Sequence, residues 1–445
     1  MRNADTVVAI ATAPGRAGIG VVRVSGSKVR EISVAIVRRA LRPRRATLCD
    51  FVDARANVLD RGIAVFYPAP NSYTGEDVLE LQGHGGLAVL QLVMRRCLEL
   101  GARPAQPGEF TQRAFLNDKL DLAQAESVAD LIEASSEAAA RSALRSLTGE
   151  FSGRVHELTR SLVDLRMLIE ATLDFPEEGI DFLARANVPQ KLQAIRDGVA
   201  SLLERAAQGR LLREGISVVI IGRPNVGKSS LMNRLAQQEL AIVTDVPGTT
   251  RDTLRHEILM EGVPIHLVDT AGLRETADVV ESLGIERTWH EARGAAIALV
   301  LVDAGEGITD ADRQILSTLP ESTNKIIIFN KIDITGDQPA RADSAQGPTV
   351  RLSVRTGAGL DLLQAAILDA AGWRPADENL FSARERHLQA LREAAVALEM
   401  AALEDSPELI AEGLRIAQQA LGRITGEFSA DDLLGEIFSR FCIGK

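Results

Sequence analysis

The sequence predicts a multidomain α/β protein in which one domain interrupts another. Short β-branched runs separated by Gly and Pro fill residues 6–117 and indicate an α+β domain. A texture of Ala, Leu, Glu and Arg at helical spacing fills residues 118–213 and returns from about residue 384. Between these stretches, Val- and Ile-rich runs alternate with helical patterns, which indicates a mainly parallel sheet covered on both faces.

These changes of texture divide the chain into four predicted segments. Because the termini of a domain usually lie close together, a complete domain can be inserted between two halves of another. The segments are an N-terminal α+β domain at 1–117, the first half of a helical domain at 118–213, the inserted domain at 214–373 and the second helical half at 374–445.

Composition and charge exclude several classes of protein. Of the 445 residues, 46% are hydrophobic and 25% are charged, as in globular proteins. No apolar run reaches membrane-spanning length and the N-terminus lacks a signal-peptide pattern, so we expect a cytoplasmic protein without membrane association. The scattered cysteines Cys49, Cys97 and Cys442 argue against a disulfide framework.

A short stretch of the first segment is crowded with arginine. The net charge of −11 gives no general attraction to nucleic acid, so any RNA contact needs a local basic patch. Such a run is either a solvated face or an RNA contact, and the sequence leaves both open. The arginines are Arg38, Arg39, Arg42, Arg44 and Arg45.

A glycine-rich stretch, GRPNVGKS at residues 222–229, follows an apolar run and opens onto a helical pattern. This order predicts a phosphate-binding loop, because backbone N–H groups and the helix dipole converge there on phosphate oxygens. We expect Lys228 at the β- and γ-phosphates of a nucleotide, and the Ser229 hydroxyl on Mg²⁺.

Two later motifs fit the switch regions of a Ras-like P-loop GTPase. Residues 248–252, GTTRD, hold two hydroxyls, and a threonine here can complete the Mg²⁺ shell and sense the γ-phosphate. Residues 269–272, DTAG, follow a strand-like run. Asp269 would lie beside Mg²⁺, and the N–H of Gly272 would meet the γ-phosphate.

Guanine is the predicted base. A strand-like run at 325–329 ends in the motif NKID, and the Asp333 carboxylate can accept two hydrogen bonds from guanine N–H groups. Adenine presents the wrong pattern, so a buried carboxylate can discriminate by roughly 10⁴-fold or more. Residues 353–355, Ser-Val-Arg, would close over the base.

The residue after the second switch motif is Leu273, where many small GTPases carry the glutamine that orients the attacking water. If the chain hydrolyses GTP, another group must do this work. The residues alone leave the carboxylate open among Glu275, Glu281 and Glu286, and the missing positive charge among Arg251, Arg274 and a bound cation.

Together with three further stretches, these motifs resemble the MnmE (TrmE) family of tRNA uridine modification GTPases. The further stretches are NDKLDLAQAE at 117–126, DFPEE at 174–178 and FCIGK at 441–445, and the likeness covers essentially the whole chain. The resemblance implies a folate-binding-like N-terminal domain that forms a constitutive homodimer, a helical domain in two halves and an inserted Ras-like P-loop GTPase domain.

The resemblance also implies an activity. Such a GTPase works with a flavoprotein partner, in a heterotetramer, on the wobble uridine of tRNA. It adds a carboxymethylaminomethyl or aminomethyl group to carbon five, with a formyl- or methylene-tetrahydrofolate as one-carbon donor. Potassium (K⁺) bound at the G domain drives pairing of two G domains and stimulates hydrolysis.

Single residues take their roles from the same resemblance. Glu281 is implied as the carboxylate that orients the attacking water, and Cys442 as a tail cysteine that acts in the modification. The implied potassium ligands are Asn225, Thr244, Val246 and Thr249. The implied folate contacts are Arg23, Glu80, Lys119 and Lys445.

The predicted site residues fall into catalytic, nucleotide-binding and metal-binding sets. The catalytic set is Glu281, Arg251, Arg274 and Cys442. The nucleotide set is Asn225, Val226, Gly227, Lys228, Ser229, Ser230, Thr244, Asp245, Val246, Pro247, Gly248, Thr249, Thr250, Asp269, Thr270, Ala271, Gly272, Asn330, Lys331, Asp333, Ser353, Val354 and Arg355. For Mg²⁺ the metal ligands are Ser229 and Thr250, beside the potassium ligands given above.

Two other interpretations stay open. A regulatory or ribosome-assembly GTPase with partner-binding flanking domains explains the nucleotide motifs, but it leaves the tail motif and the folate-like positions without a purpose. A folate-binding structural module with a degenerate, non-hydrolysing G domain is the second alternative.

Overall fold

The computed structural model describes residues 5–174, 187–238, 255–268, 295–321, 323–344, 346–374, 380–427, 431–439 and 441–444. Within these ranges the chain divides into two compact units. The first consists of Met1–Ile132, Ser146–Arg196 and Glu393–Lys445, and the second of Glu133–Arg145 and Asp197–Arg392. No helix in the described ranges is long and apolar enough to cross a membrane.

The first unit begins with a six-stranded sheet. Its strands are β1 Val7–Ile10, β2 Ala17–Ser25, β3 Thr47–Val52, β4 Val58–Tyr67, β5 Val78–Gly85 and β6 Arg103–Pro104. The strand order is β3-β4-β5-β2-β1-β6, and every pairing is antiparallel except that of β1 with β6.

Helices α1 Val29–Val37 and α2 Leu87–Glu99 supply the apolar residues that pack on one face of this sheet. Val22 and Leu81 belong to that buried layer. Side chains alternate along a strand, so Arg23 and its cross-strand partner Glu80 lie on the opposite face. A third helix, α3 Glu109–Leu116, follows β6.

Seven further helices form the helical part of the chain. They are α4 Leu122–Glu133, α5 Glu137–Leu147, α6 Glu150–Asp174, α7 Val188–Glu214, α12 Glu385–Leu403, α13 Pro407–Thr425 and α14 Asp431–Ser439. Helices α6 and α13 pack against each other in the first unit. Leu434, Ile437 and Phe438 of α14 pack with Leu122 and Ala125 of α4 in one buried apolar cluster.

A seven-stranded sheet forms the centre of the second unit. Its strands are β7 Ile216–Gly222, β8 Arg255–Met260, β9 Val263–Val268, β10 Ile297–Asp303, β11 Asn324–Asn330, β12 Ala340–Ser344 and β13 Gly347–Arg351. The order is β12-β13-β11-β10-β7-β9-β8, with antiparallel pairing only at β8–β9 and β12–β13 among the described strands.

Helices pack on both faces of this second sheet. They are α8 Lys228–Gln238, α9 Asp310–Thr318 and α11 Leu360–Ala370, while the short helix α10 Ile332–Thr335 follows β11. Val218 and Ile220 belong to a core shared with α8 and α11, whereas Val219 and Ile221 belong to a core shared with α9. The prediction of a mainly parallel sheet covered on both faces is confirmed, while the domain boundaries near 117, 213 and 373 stay predictions.

Candidate functional sites

The phosphate loop joins β7 to α8. Asn225 has a φ of 65° and Gly227 a φ of 107°, so the chain turns sharply just before the helix. Lys228 begins the helix, and its ammonium donates hydrogen bonds of 2.8 Å to the carbonyls of Gly222 and Arg223. This places a positive charge at a helix N-terminus, where the orientation of the N–H groups favours phosphate oxygens.

A buried asparagine ties this loop to a second segment. Asn330 Nδ2 donates to the carbonyl of Val226 at 2.8 Å, and Asn330 Oδ1 accepts the N–H of Val354 at 3.0 Å. A Cβ at position 227 would lie 2.5 Å from Asn330 Nδ2, so Gly227 leaves the room that this link requires. Three motifs that the sequence presents separately therefore meet at one amide.

The base-recognition motif is also held in place. Asp333 Oδ1 accepts a hydrogen bond of 2.6 Å from Ser353 Oγ, and Arg355 Nη1 lies 3.9 Å from Asp333 Oδ2. The N–H of Thr356 in turn donates to Ser353 Oγ at 3.2 Å. The structure thus brings together Asp333 and the segment predicted to close over the base.

Asp303, at the end of β10, contributes to the site although it belongs to none of the sequence motifs. Lys331 Nζ lies 2.7 Å from its Oδ2, and the N–H of Gly305 donates to its Oδ1 at 2.9 Å. The hydrogen bond from Lys331 is the main cause that lowers the pKa of Asp303. An acidic residue at the carboxyl end of a buried parallel strand was the available signal, since ligands bind at that edge of such sheets.

Arg223 of the phosphate loop makes a second ionic link to the segment after β10. Its Nη2 lies 2.6 Å from Glu306 Oε2, and its Nε lies 3.1 Å from Asp312 Oδ1. Asp312 is fully buried and also forms the capping box of α9 with Thr309. The loop is therefore fastened to the neighbouring strand end as well as to Asn330.

The described half of the site suits a nucleotide and hard cations. Lys228 and the loop N–H groups are donors, which match phosphate oxygens. The Ser229 hydroxyl and the Asn225 amide oxygen are hard ligands of the kind that oxygen-seeking cations take. Both residues are exposed, as is Ser230, and neither ligand side chain engages another described residue.

The other half of the predicted nucleotide site lies outside the described residues, so its roles stay predictions. These residues are Thr244, Asp245, Val246, Pro247, Gly248, Thr249, Thr250, Arg251, Asp269, Thr270, Ala271, Gly272, Arg274 and Glu281. Lys445 of the predicted folate contacts also lies outside them.

A second candidate site lies on the open face of the N-terminal sheet. Arg23 Nε and Nη2 donate to Glu80 Oε1 at 3.1 and 2.9 Å, and Gln82 Nε2 donates to Glu80 Oε2 at 3.4 Å. The Arg23 guanidinium also lies 5.7 and 5.8 Å from the ring centroids of Tyr73 and Phe110. A cation between two aromatic rings, paired with a carboxylate, forms a polar and planar recognition surface.

The C-terminal tail runs along this second site. The N–H of Gly108 donates to the carbonyl of Cys442 at 3.3 Å, and Ile443 forms an antiparallel bridge with Pro107. Arg23 Nη1 reaches the carbonyl of Gly444 at 3.5 Å. The exposed Cys442 is thus held two residues from a direct contact of Arg23.

Lys119 is the least connected of the predicted folate contacts that the structure describes. It is exposed, and a Cβ at Gly75 would lie 3.3 Å from its Cγ. Asn117 Nδ2 donates to the carbonyl of Thr74 at 2.7 Å, which holds the two segments together. The structure brings Arg23 and Glu80 into contact, and it places Lys119 beside the loop that carries Tyr73.

Beneath this loop lies a group of five charged residues, here called the ionic cluster: Asp5, Glu76, Arg103, Glu109 and Arg113. Arg113 lies 2.8 to 3.0 Å from all three carboxylates, and its side chain is only 3% exposed. Arg103 lies 2.6 Å from both Asp5 and Glu109. Burial alone would raise the pKa of Glu109, but the hydrogen bonds it accepts outweigh burial and lower this pKa.

Two family models match the chain. The model "MnmE helical domain" matches residues 122–442, and the model "GTP-binding protein TrmE N-terminus" matches residues 6–119. The chain belongs to the MnmE family. The resemblance drawn from the motifs is confirmed, as is the MnmE fold class of N-terminal α+β domain, helical domain and P-loop GTPase-type domain.

Full-length MnmE relatives agree with this assignment. The protein "tRNA modification GTPase MnmE" of Chromobacterium violaceum is 57% identical over 99% of this chain and 98% of its own length. The relatives of the same name from Thiobacillus denitrificans and Nitrosomonas europaea are 58% and 56% identical, over 99% and 100% of this chain and 98% and 100% of their own lengths. Among solved structures, Era in complex with MgGDPNP and a segment of 16S ribosomal RNA is 27% identical over 43% of this chain and 69% of that chain. The TM-score is 0.28, so this likeness adds nothing to the assignment.

Proposed function

We propose that this MnmE-family chain hydrolyses GTP in the modification of tRNA. The observation that carries the proposal is the Asn330 link, which joins a phosphate loop to the segments that carry Asp333 and Val354. The full-length relatives support it, because they carry the name tRNA modification GTPase MnmE.

In the proposed hydrolysis, Lys228 binds the β- and γ-phosphates and Asp333 accepts the N–H groups of guanine. Ser229 and Thr250 hold Mg²⁺, and Glu281 orients the attacking water. Arg251 or Arg274 would offset the negative charge that develops on the phosphate. Potassium, when bound through oxygen ligands, would supply the same positive charge. Its ligands are Asn225, Thr244, Val246 and Thr249.

The finer part of the proposal concerns the N-terminal site. A tetrahydrofolate derivative would be the one-carbon donor. Glu80 would accept hydrogen bonds from the donor edge of its pterin, Arg23 or Lys119 would hold the carboxylates of its glutamate tail, and Lys445 would be a further contact. With a flavoprotein partner, the homodimeric chain then adds an aminomethyl or carboxymethylaminomethyl group at carbon five of the wobble uridine. Cys442 of the C-terminal tail takes part in the modification. The four predicted segments are the domains of the protein, and we expect the protein in the cytoplasm.

GTP turnover in potassium against sodium tests the hydrolytic part. We expect turnover to rise strongly in potassium, and Glu281→Ala to abolish that rise while guanine-nucleotide binding persists. Equal slow rates in both salts would contradict the potassium mechanism, and unchanged turnover of Glu281→Ala would remove its assigned role.

Mass spectrometry of tRNA nucleosides tests the biological part. We expect tRNA from cells that lack this protein to carry wobble uridine without the carbon-five substituent, and the gene to restore it. Unaltered nucleosides, together with normal GTP turnover of the purified chain, would favour a regulatory or ribosome-assembly GTPase instead.

A further inference from the structure

The segment between α1 and β3 exposes five arginines, here called the arginine patch: Arg38, Arg39, Arg42, Arg44 and Arg45. All five are exposed. The chain as a whole carries 61 acidic and 50 basic residues, so a stretch of this kind departs from its general negative charge. A concentrated positive surface on an acidic protein attracts an anionic partner locally, within about one Debye length of roughly 8 Å.

The backbone of the patch is fixed on the N-terminal sheet. Pro43 bridges to Phe66 of β4, and the N–H of Arg44 donates to the carbonyl of Phe66 at 2.7 Å. Leu41, in the middle of the segment, packs against the sheet core. The guanidinium groups are therefore presented from a scaffold that is already ordered, which reduces the entropy lost when a partner binds.

Three of the patch arginines have no carboxylate partner among the described residues, and the following exposed arginines do. Arg38, Arg42 and Arg45 make no side-chain hydrogen bond or ion pair with any described residue. In contrast, Arg61 lies 3.6 Å from Asp50, and Arg154 lies 3.1 Å from Glu157. The charge of the three patch arginines is thus not neutralised within the described part of the chain.

Two patch positions are also conformationally unfavourable for arginine. Arg38 has a φ of 60° as the C-cap of α1, and Arg44 has a φ of 55°. Glycine or asparagine adopts this left-handed region at lower cost and commonly ends helices in this way. Residues held in an unfavourable backbone conformation are concentrated where the side chain has a functional role.

We propose that the arginine patch binds the sugar-phosphate backbone of the tRNA substrate. This inference rests on the proposed function, which supplies tRNA as the anionic partner. Guanidinium groups bind phosphate through two parallel hydrogen bonds, and several of them on a rigid loop match a chain of regularly spaced phosphates. Backbone contacts of this kind fix the position of the RNA and carry no sequence information.

The test compares two triple variants with equal loss of charge. The patch variant combines Arg38→Gln, Arg42→Gln and Arg45→Gln. The control combines Arg61→Gln, Arg154→Gln and Arg141→Gln, whose side chains are 62 to 76% exposed and are each paired with a carboxylate. Binding of an unmodified tRNA transcript is measured over a range of salt concentrations for the wild-type chain and both variants.

We expect the slope of log affinity against log salt to fall by roughly 2 to 3 in the patch variant, since each lost phosphate contact removes about 0.7 to 0.9. The control should keep the wild-type slope. Replacement of the same three arginines by lysine should keep most of the slope yet weaken binding, because lysine retains the charge without the paired hydrogen bonds. Unchanged melting temperature and GTP turnover show that the variants fold.

Several outcomes would overturn the proposal. An equal loss in both triple variants would indicate general electrostatic attraction only. Full tRNA binding by the patch variant, with heparin binding reduced, would assign the patch to a different polyanion. If the wild-type chain itself fails to bind tRNA, both the proposed function and the proposed role of the patch are wrong. The first two outcomes contradict only the role of the patch.

Discussion

The nucleotide site and the N-terminal arginine site are built in different ways. In the nucleotide site, Lys228 and Asn330 bond to main-chain carbonyls and N–H groups of neighbouring loops. In the N-terminal site, Arg23 and Glu80 bond to each other across two strands, above the ionic cluster. The first site is thus held by contacts of side chains with the main chain of its motifs, and the second by contacts between charged side chains.

The largest effect is expected from the ionic cluster. Arg113→Met should lower the free energy of unfolding by about 3–5 kcal/mol, because it leaves Asp5, Glu76 and Glu109 without their shared buried cation. Chemical denaturation, followed by a probe in the N-terminal sheet, measures this change. GTP turnover, assayed where the variant is folded, should stay near the wild-type value.

Arg415→Met is the matched control, since it breaks an ion pair with Glu412 that is 43% and 51% exposed. Exposed pairs contribute about 0–1 kcal/mol, so the control should be close to wild type. Similar losses of unfolding free energy in both variants would mean that the buried ionic cluster contributes no more stability than an exposed ion pair.

The next effect concerns the nucleotide site. Lys228→Ala should reduce kcat/KM for GTP by about 10²- to 10³-fold, because it removes a preorganised positive donor from the phosphates. Steady-state phosphate release measures the change. Lys191→Ala, which removes an exposed lysine of α7, is the control and should keep full turnover. A loss of less than tenfold for Lys228→Ala would contradict the assignment of the loop.

These two regions also differ in how far the sequence predicts them. Gly227, Lys228 and Asn330 stand in short motifs, so the sequence predicts that all three serve one nucleotide site. Asp303 lies in no such motif, and its contact with Lys331 depends on the pairing of β10 with β11. Sequence patterns specify the elements of a parallel sheet, but they do not specify which side chains meet at its edge.

The N-terminal site shows the same limit more strongly. Arg23 and Glu80 are 57 residues apart, and Arg23 and Gly444 are 421 apart. From the residues alone, Arg23 and Glu80 are ordinary charged residues on strand-like runs. Only the family resemblance identified these two as candidate folate contacts. The alternation of buried and open positions predicts that both face away from the core, but it cannot predict that β2 pairs with β5.

A smaller effect is expected at Glu80. Glu80→Gln should weaken binding of a formyl-tetrahydrofolate by about tenfold to 100-fold, since hydrogen bonds to a charged group contribute about 1.5–3 kcal/mol. Isothermal titration calorimetry measures the affinity. GTP turnover should not change, which keeps the two sites separable.

Glu99→Gln serves as its control, because Glu99 pairs with Arg96 on the surface of α2 and is 52% exposed. Equal affinity for folate in all three proteins would remove Glu80 from the proposed folate contacts. It would leave the GTPase assignment untouched.

The smallest effect is a pH dependence at the Lys331–Asp303 pair. The hydrogen bond from Lys331 lowers the pKa of Asp303 below its ordinary value of 3.8. A carboxyl group with a lowered folded-state pKa adds stability above its unfolded pKa and loses it as pH falls through the folded pKa. Asp303→Asn should therefore cost about 1 kcal/mol at pH 7, and this cost should shrink from about pH 5 downward.

Urea denaturation of the wild-type chain and Asp303→Asn, from pH 7 to pH 3, measures this difference for the second unit. Asp310→Asn is the matched control, because Asp310 lies on α9 close in sequence and is 97% exposed in its pair with Arg313. Its cost should be near zero at every pH. A constant difference between wild type and Asp303→Asn across this range would mean that the carboxylate charge of Asp303 is not what holds Lys331.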